Sequence, residues 1–390
     1  MPIKLTAFEH KIAKQLAALK RKSGSHSPSP AMLRDVSGIT VKHDFCFLSN
    51  PYATDLFLKY WKRDFGNKNT RNLHKLVEQY PSQNRVLAGK LEKIVGVPAQ
   101  HIFVGNGATE IIQAMLQNFA KRKILVPVPT FSPYLEFAPK GVKTVIHQLR
   151  KEAGFKLEAK RFLKDIQREK PDSVVIINPS NPDGGYVSAS TLRQLLEKLR
   201  HIGIVIIDES FIHFADKNKR TPQDAARLVN TFPNLVVIKS LSKDFGIAGL
   251  RLGYGVMSKQ RISTLLARGY LWNISGFGEY FLNLLNNRGF MKEYEKARLL
   301  AIRERDDFFT QLSTLKGLKV YPSRANMFLI ELLGGSRAED FMVTLLARYG
   351  IYVRLCKDKI GLNGEFIRIA SCKAKENLKL VRALKNILSE

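Results

Sequence analysis

The sequence is poor in cysteine and contains no long apolar run. Its 390 residues include three cysteines, Cys46, Cys356 and Cys372. An odd, sparse set without metal-ligand spacing argues against both a disulfide framework and a zinc site. No segment is apolar for long enough to cross a bilayer, and the first residues do not resemble a secretory signal. We therefore expect a cytoplasmic protein with no bound metal and no membrane partner.

Acidic residues are scarce relative to basic ones. The chain has 34 Asp and Glu against 63 Lys and Arg, which gives a formal net charge of +29. Such a charge is compatible with nucleic acid or a membrane surface as a partner. The basic residues are spread along the chain, however, without an RNA-recognition signature or a block made of basic residues alone. We therefore predict a solvated basic surface that attracts anionic substrates, with no nucleic acid as a partner.

The first 45 residues are predicted to form a helical arm. Over residues 4–22, with lysines between them, apolar side chains recur at helical spacing: Leu5, Phe8, Ile12, Leu16 and Leu19. A break rich in Ser, Gly and Pro follows at residues 23–30. The apolar stripe is expected to pack on the body of the protein or on a partner subunit. Membrane contact is a less favoured alternative.

Short apolar strands alternate with helices from about residue 72 onward. The predicted strands are Ile102–Val104, Ile124–Val126, Val142–His147, Ser173–Ile177, Ile204–Ile207 and Leu235–Ile238. The predicted helices are Leu87–Val95, Thr109–Phe119 and Leu192–Leu199. Continuous Val and Ile runs that alternate with helices indicate an α/β fold with a largely parallel sheet, covered on both faces. Ligands bind outside the carboxyl ends of the strands in such sheets.

The pattern changes after Tyr254. A long helical region around Met257–Thr310 leads into predicted strands at Leu318–Tyr321, Met327–Leu332, Gly350–Arg354 and Phe366–Ala370. Strands mixed with helices predict a second, smaller α+β domain. We place the arm at residues 1–45, the large domain at 46–275 and the small domain at 276–390.

The stretch Ser240–Tyr254 follows a predicted strand and carries a strong chemical signal. Lys243 lies between two serines and a glycine-rich turn. This setting suits an amine that must be partly desolvated to act as a nucleophile. Ser240, Ser242 and Arg251 could together bind a phosphate. The alternative is a surface lysine in a loop.

Three further motifs follow predicted strands. Ala108 and Thr109 open a helix after the strand that ends at Val104, where free backbone N–H groups and the helix dipole make an anion site. Phe131, in a turn held rigid by two prolines, can present a flat stacking surface. Asn181 lies in a turn rich in Asn, Pro and Gly that can hold its amide toward a ligand oxygen. The structural alternatives are a helix cap, a core aromatic and an Asx-turn.

Charged residues complete the set. Asp208 ends a buried strand, which is costly unless the carboxylate is paired with a cationic ring nitrogen, a basic side chain or a backbone amide. Arg354 and Arg368 end or interrupt apolar strands of the second domain, so each needs an anionic partner. A substrate carboxylate held by an arginine fork is the functional interpretation, and an internal ion pair is the structural one.

Taken in order, these motifs resemble the fold-type I pyridoxal 5′-phosphate (PLP) enzymes of the class I/II aminotransferase superfamily, from about Asn50 to the C-terminus. The resemblance implies PLP as the cofactor. It implies a large domain with a mainly parallel, seven-stranded-type sheet flanked by helices, plus a smaller α+β domain. It also implies three catalytic residues: Lys243 forms the Schiff base with the cofactor, Asp208 pairs with the pyridinium nitrogen, and Phe131 stacks on the ring.

The same resemblance implies the remaining site residues. Asn181 would bond the ring O3′. The cofactor phosphate would be held by Ala108, Thr109, Ser240, Ser242 and Arg251. Tyr80 looks like the tyrosine that reaches the phosphate from the neighbouring subunit, which implies a homodimer with shared active sites. Substrate binding would involve Asn50, Arg354 and Arg368, with Arg368 on the α-carboxylate.

Within the superfamily, the sequence is similar to the histidinol-phosphate aminotransferases and to threonine-phosphate decarboxylase. The segments Ser49–Tyr52 and Arg324–Phe328 fit that group. The aminotransferases usually carry a tyrosine at the fourth position of the aspartate motif, where its hydroxyl bonds O3′. Here that position is Phe211, and the decarboxylase is similar in having phenylalanine there. The missing donor forgoes roughly 1–3 kcal/mol of hydrogen bonding.

Two reactions therefore stand as expectations. The first is decarboxylation of a small O-phosphorylated amino acid, phosphoserine or phosphothreonine, to the phosphorylated amino alcohol; Phe211 favours it. The second is transamination of a phosphorylated or other polar amino acid. The bond that lies perpendicular to the cofactor ring decides between them, and the substrate anchors set its position. A DNA-binding regulator built on this fold is disfavoured, because the N-terminal arm is too short for a winged-helix domain.

Overall fold

A computed structural model describes residues 3–23, 27–66, 70–217 and 224–389. Of the predicted break at residues 23–30, residues 24–26 lie outside the described part. The helices are α1 Ala7–Ser23, α2 Pro30–Ser37, α3 Pro51–Phe65, α4 Thr70–Glu78, α5 Asn84–Gly89, α6 Glu92–Val95, α7 Gly107–Phe119, α8 Pro133–Glu136, α9 Ala159–Glu169, α10 Ala189–Lys198, α11 Asp224–Arg227, α12 Lys259–Ala267, α13 Gly276–Leu285, α14 Arg288–Ser313, α15 Ala338–Tyr349 and α16 Ala374–Ser389. The strands are β1 His43–Asp44, β2 Ile102–Gly105, β3 Lys123–Val128, β4 Lys143–Gln148, β5 Ser173–Ile177, β6 Ile204–Asp208, β7 Leu235–Ser240, β8 Gly253–Val256, β9 Leu318–Val320, β10 Met327–Leu332, β11 Ile351–Tyr352, β12 Arg354–Leu355 and β13 Phe366–Ala370.

The central sheet has seven strands in the order β2-β8-β7-β6-β5-β3-β4. Strand β8 runs antiparallel to both of its neighbours, and the other neighbouring pairs are parallel. Along β5 and β6, Val174 and Val205 pack in one apolar cluster with α10 and α13, while Val175 and Ile206 pack in another with α7 and α12. Helices therefore cover both faces, as a parallel sheet requires. The predicted mainly parallel, seven-stranded sheet is confirmed.

A second, smaller sheet has four antiparallel strands in the order β12-β13-β10-β9. Its apolar cluster takes in Phe308 of α14, Leu345 of α15 and Leu384 of α16. This arrangement agrees with the predicted smaller α+β region. The predicted domain boundaries stay predictions, and β1, which falls in the predicted arm, pairs in parallel with β11 of the small region.

Helix α1 packs on the body of this chain. Ile12 and Leu16 are buried in the same apolar cluster as α15, and Glu9 pairs with Arg348 at 2.6 Å. Phe8, predicted to share the apolar stripe, is instead exposed. None of the helices in the described ranges is long and apolar enough to cross a membrane.

Two segments predicted as continuous are divided. The helical region Met257–Thr310 contains α12, α13 and α14, because side-chain caps begin new helices inside it. Ser275 Oγ accepts a hydrogen bond from the Gly278 N–H, and Asn287 Oδ1 accepts one from the Phe290 N–H. Similarly, Leu87–Val95 is divided between α5 and α6.

Candidate active site

A cavity of about 210 Å³ opens at the carboxyl ends of the central strands. Asp208 ends β6, Ser240 ends β7, and Asn181 and Lys243 follow β5 and β7. Adjacent parallel strands end at one edge of the sheet, which brings these residues together. The predicted site residues that line the cavity are Ala108, Thr109, Phe131, Asn181, Asp208, Ser240, Ser242, Lys243, Arg251, Arg354 and Arg368.

Lys243 has the environment of a reactive amine. Its backbone carbonyl accepts a hydrogen bond of 2.8 Å from the Asn50 N–H, while its Nζ has no hydrogen bond or ion pair within the described residues. Burial, followed by the nearby charges of Arg368 and Arg251, lowers the pKa of Lys243 to about 8, against the opposing effect of Asp208. A larger neutral fraction makes the amine a better nucleophile near neutral pH.

Asp208 is a buried carboxylate surrounded by neutral donors. Tyr134 Oη donates to Oδ2 at 2.9 Å, and the Ser210 N–H donates to Oδ1 at 2.9 Å. Burial raises the pKa of Asp208, although the hydrogen bonds from Ser210 and Tyr134 oppose this. A cationic ring nitrogen beside it would favour the charged carboxylate. Tyr134 was not predicted as a site residue; its only signal was its place in the rigid turn that contains Phe131.

The phosphate end is built from a helix N-terminus and polar side chains. Ala108 and Thr109 occupy the first turn of α7. Gly107 has φ +76°, and a Cβ there would come within 2.8 Å of Arg251 Nη2, so glycine lets the arginine approach the helix start. Ser242 N–H donates to Ser240 Oγ at 3.2 Å. Amides, hydroxyls and a guanidinium are the donor set that a phosphate takes.

Two arginines of the small sheet face the same cavity. Arg368 Nη1 donates to Asn181 Oδ1 at 3.0 Å and Nη2 donates to the Cys46 carbonyl at 2.6 Å. Its Nε is buried without a hydrogen-bond partner in the described part of the chain. Arg354 Nη2 contacts both carboxylate oxygens of Asp358, at 3.0 and 2.7 Å. The internal ion pair considered from the sequence is therefore present for Arg354, whereas Arg368 keeps a donor for a ligand.

Asn50 and Tyr80 do not line this cavity. Asn50 is buried and caps α3, with Oδ1 accepting from the Tyr52 and Ala53 N–H groups. Tyr80 is 86% exposed, and its ring centroid lies 6.0 Å from that of Trp272. The role predicted for Tyr80 lies in the active site of a neighbouring subunit. The assignments of Asn50 to substrate binding and of Tyr80 to that site both stay predictions.

A buried ion network lies directly behind Lys243. Lys239 Nζ pairs with Asp244, and His213 Nδ1 lies 2.8 Å from the same carboxylate and 2.8 Å from Tyr294 Oη. Burial alone would raise the pKa of Asp244, but Lys239 and His213 hold it below its usual range. Since Asp244 is the next residue after Lys243, this network fixes the backbone that carries the reactive amine.

Lys359 and Ser132 are among the cavity residues that the sequence analysis did not predict. Lys359, in the turn between β12 and β13, extends its Nζ to Ser132 Oγ at 2.6 Å. Both residues line the cavity. Lys359 belongs to no local pattern that distinguishes it from an ordinary loop lysine, and the only signal for Ser132 was its place in the rigid turn that contains Phe131.

The assembled residues fit PLP. Asp208 lacks a cationic partner among the described residues and can take the ring nitrogen, while the start of α7 with Ser240, Ser242 and Arg251 can take the phosphate. The neutral fraction of Lys243 can take the aldehyde. We assign these positions from the chemistry of the donors.

Comparison with known proteins finds similar sequences and similar structures. A family model described as aminotransferase class I and II matches residues 62–384. A Campylobacter jejuni protein named L-serine phosphate decarboxylase is 48% identical over 394 residues, covering 100% of both chains. The structure of a decarboxylase from Sulfurospirillum multivorans has a TM-score of 0.92 and 43% identity, covering 98% of this chain and 97% of that one. A histidinol-phosphate aminotransferase from Clostridium acetobutylicum has a TM-score of 0.76 and 27% identity, covering 89% and 99%.

Proposed function

The chain belongs to the family of class I and II aminotransferases, and on that premise we propose that it decarboxylates O-phosphoserine to O-phosphoethanolamine and CO2. PLP is the cofactor of this family. The observation that carries the substrate assignment is the charge of the cavity. Among its described lining residues, the cations are Lys243, Arg251, Arg354, Lys359 and Arg368, against one carboxylate, Asp208. The cofactor would engage Lys243 and Arg251, and Arg354 pairs with Asp358, so Lys359 and Arg368 are the cations that remain for a substrate. A substrate with both a carboxylate and a phosphate matches this excess, and the name of the 48% identical relative supports it.

Asp208 and Lys243 would have distinct roles in this reaction. When bound, PLP supplies a protonated ring that accepts the electron pair left on the substrate Cα as a bond to it breaks. Asp208 would keep the ring nitrogen protonated, because an adjacent negative charge favours the cation. Lys243 would hold the cofactor, and in the reaction its Nζ would deliver a proton to Cα after CO2 has left.

The position of the bound substrate relative to the cofactor ring decides which of its bonds at Cα breaks. Arg368, with its free Nε, would hold the α-carboxylate as a fork. Phe131 would cover one face of the ring, and Asn181 would bond O3′. Phe211, which lines the cavity and is buried, adds no hydroxyl there. Anchors that place the Cα–carboxylate bond perpendicular to the ring would select decarboxylation.

We further propose a homodimer in the cytoplasm. Val77, Tyr80, Leu271 and Trp272 are exposed apolar or aromatic side chains, and a second copy would cover them. The three cysteines are free, which suits a reducing compartment.

The test is to mix the PLP-loaded enzyme with O-phosphoserine in the absence of a 2-oxo acid. We expect CO2 and O-phosphoethanolamine in equal amounts, and lower rates with O-phosphothreonine and with serine. Stoichiometric conversion of the cofactor to its pyridoxamine form without CO2 would show transamination instead and overturn the proposal.

A further inference from the structure

Lys359 is a cation in the wall of the cavity, and the side chain that holds it is neutral. Its side chain is buried in the cavity wall, and Nζ donates to Ser132 Oγ at 2.6 Å. Ser132 follows Phe131, so the hydrogen bond fixes the ammonium beside the residue predicted to stack on the cofactor. Within the described residues, Lys359 forms no ion pair.

Lys239, a buried lysine near the cavity, shows the contrast. Lys239 has a carboxylate partner in Asp244, which is the usual arrangement for a structural lysine because an unpaired buried charge is costly. For Lys359, burial first and then the neighbouring charge of Arg354 lower the pKa to about 8, although Asp358 and Cys356 oppose this. Its single fixed partner is neutral, so two N–H donors remain for an anion.

We propose that Lys359 binds the phosphate of the substrate and makes the enzyme select phosphoserine over serine. This inference rests on the proposed function. Arg368 suits the planar carboxylate, since a guanidinium forms a flat fork. A compact ammonium instead acts as a point charge for a phosphate dianion. The Ser132 hydrogen bond holds that charge in place before the substrate arrives, which reduces the entropy lost on binding.

The test compares the holoenzyme with Lys359→Met, Ser132→Ala and Lys357→Met. The last is a matched control, because Lys357 lies on the same turn but is exposed and pairs with Glu339 at 2.8 Å. For Lys359→Met we expect kcat/KM for O-phosphoserine to fall at least about 30-fold. We expect kcat/KM for serine to change less than about threefold. Calorimetry should show a matching loss of affinity for O-phosphoethanolamine but not for ethanolamine. Ser132→Ala should raise KM for O-phosphoserine with little change in kcat.

The outcomes separate this inference from the proposed function. If the unaltered enzyme releases no CO2 from O-phosphoserine, the proposed function fails. If it does release CO2, and Lys359→Met keeps its preference for O-phosphoserine and its affinity for O-phosphoethanolamine within about threefold, the role of Lys359 is overturned. Should Lys359→Met fail to retain PLP, Ser132→Ala decides, and an unchanged KM for O-phosphoserine would then overturn it.

Discussion

Arg368 Nη1 donates a hydrogen bond of 3.0 Å to Asn181 Oδ1. The predicted anchor of the substrate carboxylate therefore touches the predicted partner of the ring O3′. With Oδ1 occupied, Nδ2 is the group of Asn181 that remains for the ring oxygen. Substrate position and cofactor position are coupled through this pair, because movement of the guanidinium would turn the amide.

Replacing Arg368 with glutamine should lower kcat/KM for O-phosphoserine by roughly 30- to 1,000-fold, as expected when one partner of a buried charge pair is lost. Steady-state kinetics of CO2 release measure this. Arg337→Gln is the control, since Arg337 is exposed and pairs with Glu339 at the surface. Equal kinetic constants in the two variants would show that Arg368 does not bind the substrate.

Capture of PLP by the apoprotein should depend on pH through Lys243. With a pKa of about 8, the neutral amine falls about tenfold for each pH unit below that value. The capture rate should follow this decline and level off above pH 8. Borohydride reduction followed by peptide mass analysis should place the cofactor on Lys243. A flat profile between pH 6 and 9, or label on Lys239, would contradict the assignment.

The Tyr134 hydroxyl should be needed for full activity. Tyr134→Phe removes the hydrogen bond to Asp208 Oδ2, and bonds to charged groups contribute about 1.5–3 kcal/mol. We expect kcat/KM to fall roughly 10- to 150-fold, with the far-UV circular dichroism unchanged. Tyr270→Phe removes a weaker contact with Asn118 at 3.3 Å. Its kcat/KM should stay close to that of the unaltered enzyme. If both variants lose activity equally, Tyr134 has no special role.

Removal of Asp244 should destabilise the fold. Asp244→Ala leaves Lys239 buried without its carboxylate, and breaking one side of a buried pair costs about 3–5 kcal/mol. Asp55→Ala, which breaks the exposed pair with Lys373, should cost less than about 1 kcal/mol. Urea denaturation measures both. Because the folded pKa of Asp244 is depressed, its contribution is present at neutral pH and lost as pH falls through that pKa. If the free energy of unfolding that Asp244→Ala loses is as large at acid pH as at neutral pH, this account is contradicted.

Shared active sites should allow complementation between subunits. Tyr80→Ala and Lys243→Ala should each be weakly active or inactive alone. A mixed dimer of the two would contain one site with both residues intact and should regain up to about a quarter of the activity for random pairing, as the symmetry of a two-fold dimer requires. Light scattering gives the oligomeric state. A fully active monomer would rule out the role of Tyr80 in a neighbouring site.

Several of the cavity residues could be predicted because each ends a buried strand or lies in the turn that follows one. Lys243, Asp208 and Asn181 come after Val/Ile-rich runs, whose carboxyl ends meet in a parallel sheet. Tyr134 and Lys359 could not be predicted in the same way. Tyr134 is an ordinary turn residue until Asp208 is placed beside it, and the position of Lys359 depends on the contact of its turn with Ser132, which is distant in the sequence.

By itself, the sequence determined the order of the buried strands and the reactive residues that follow them, since apolar periodicity and turn composition are local properties of the chain. The tertiary structure alone decided that α1 packs on its own chain, that Lys359 shares the cavity with Lys243, and that Arg368 contacts Asn181. Those contacts join segments far apart, 227 residues for Lys359 with Ser132 and 187 for Arg368 with Asn181. Their physical cause is the packing of the small region against the loops that follow strands of the central sheet, which no local pattern encodes.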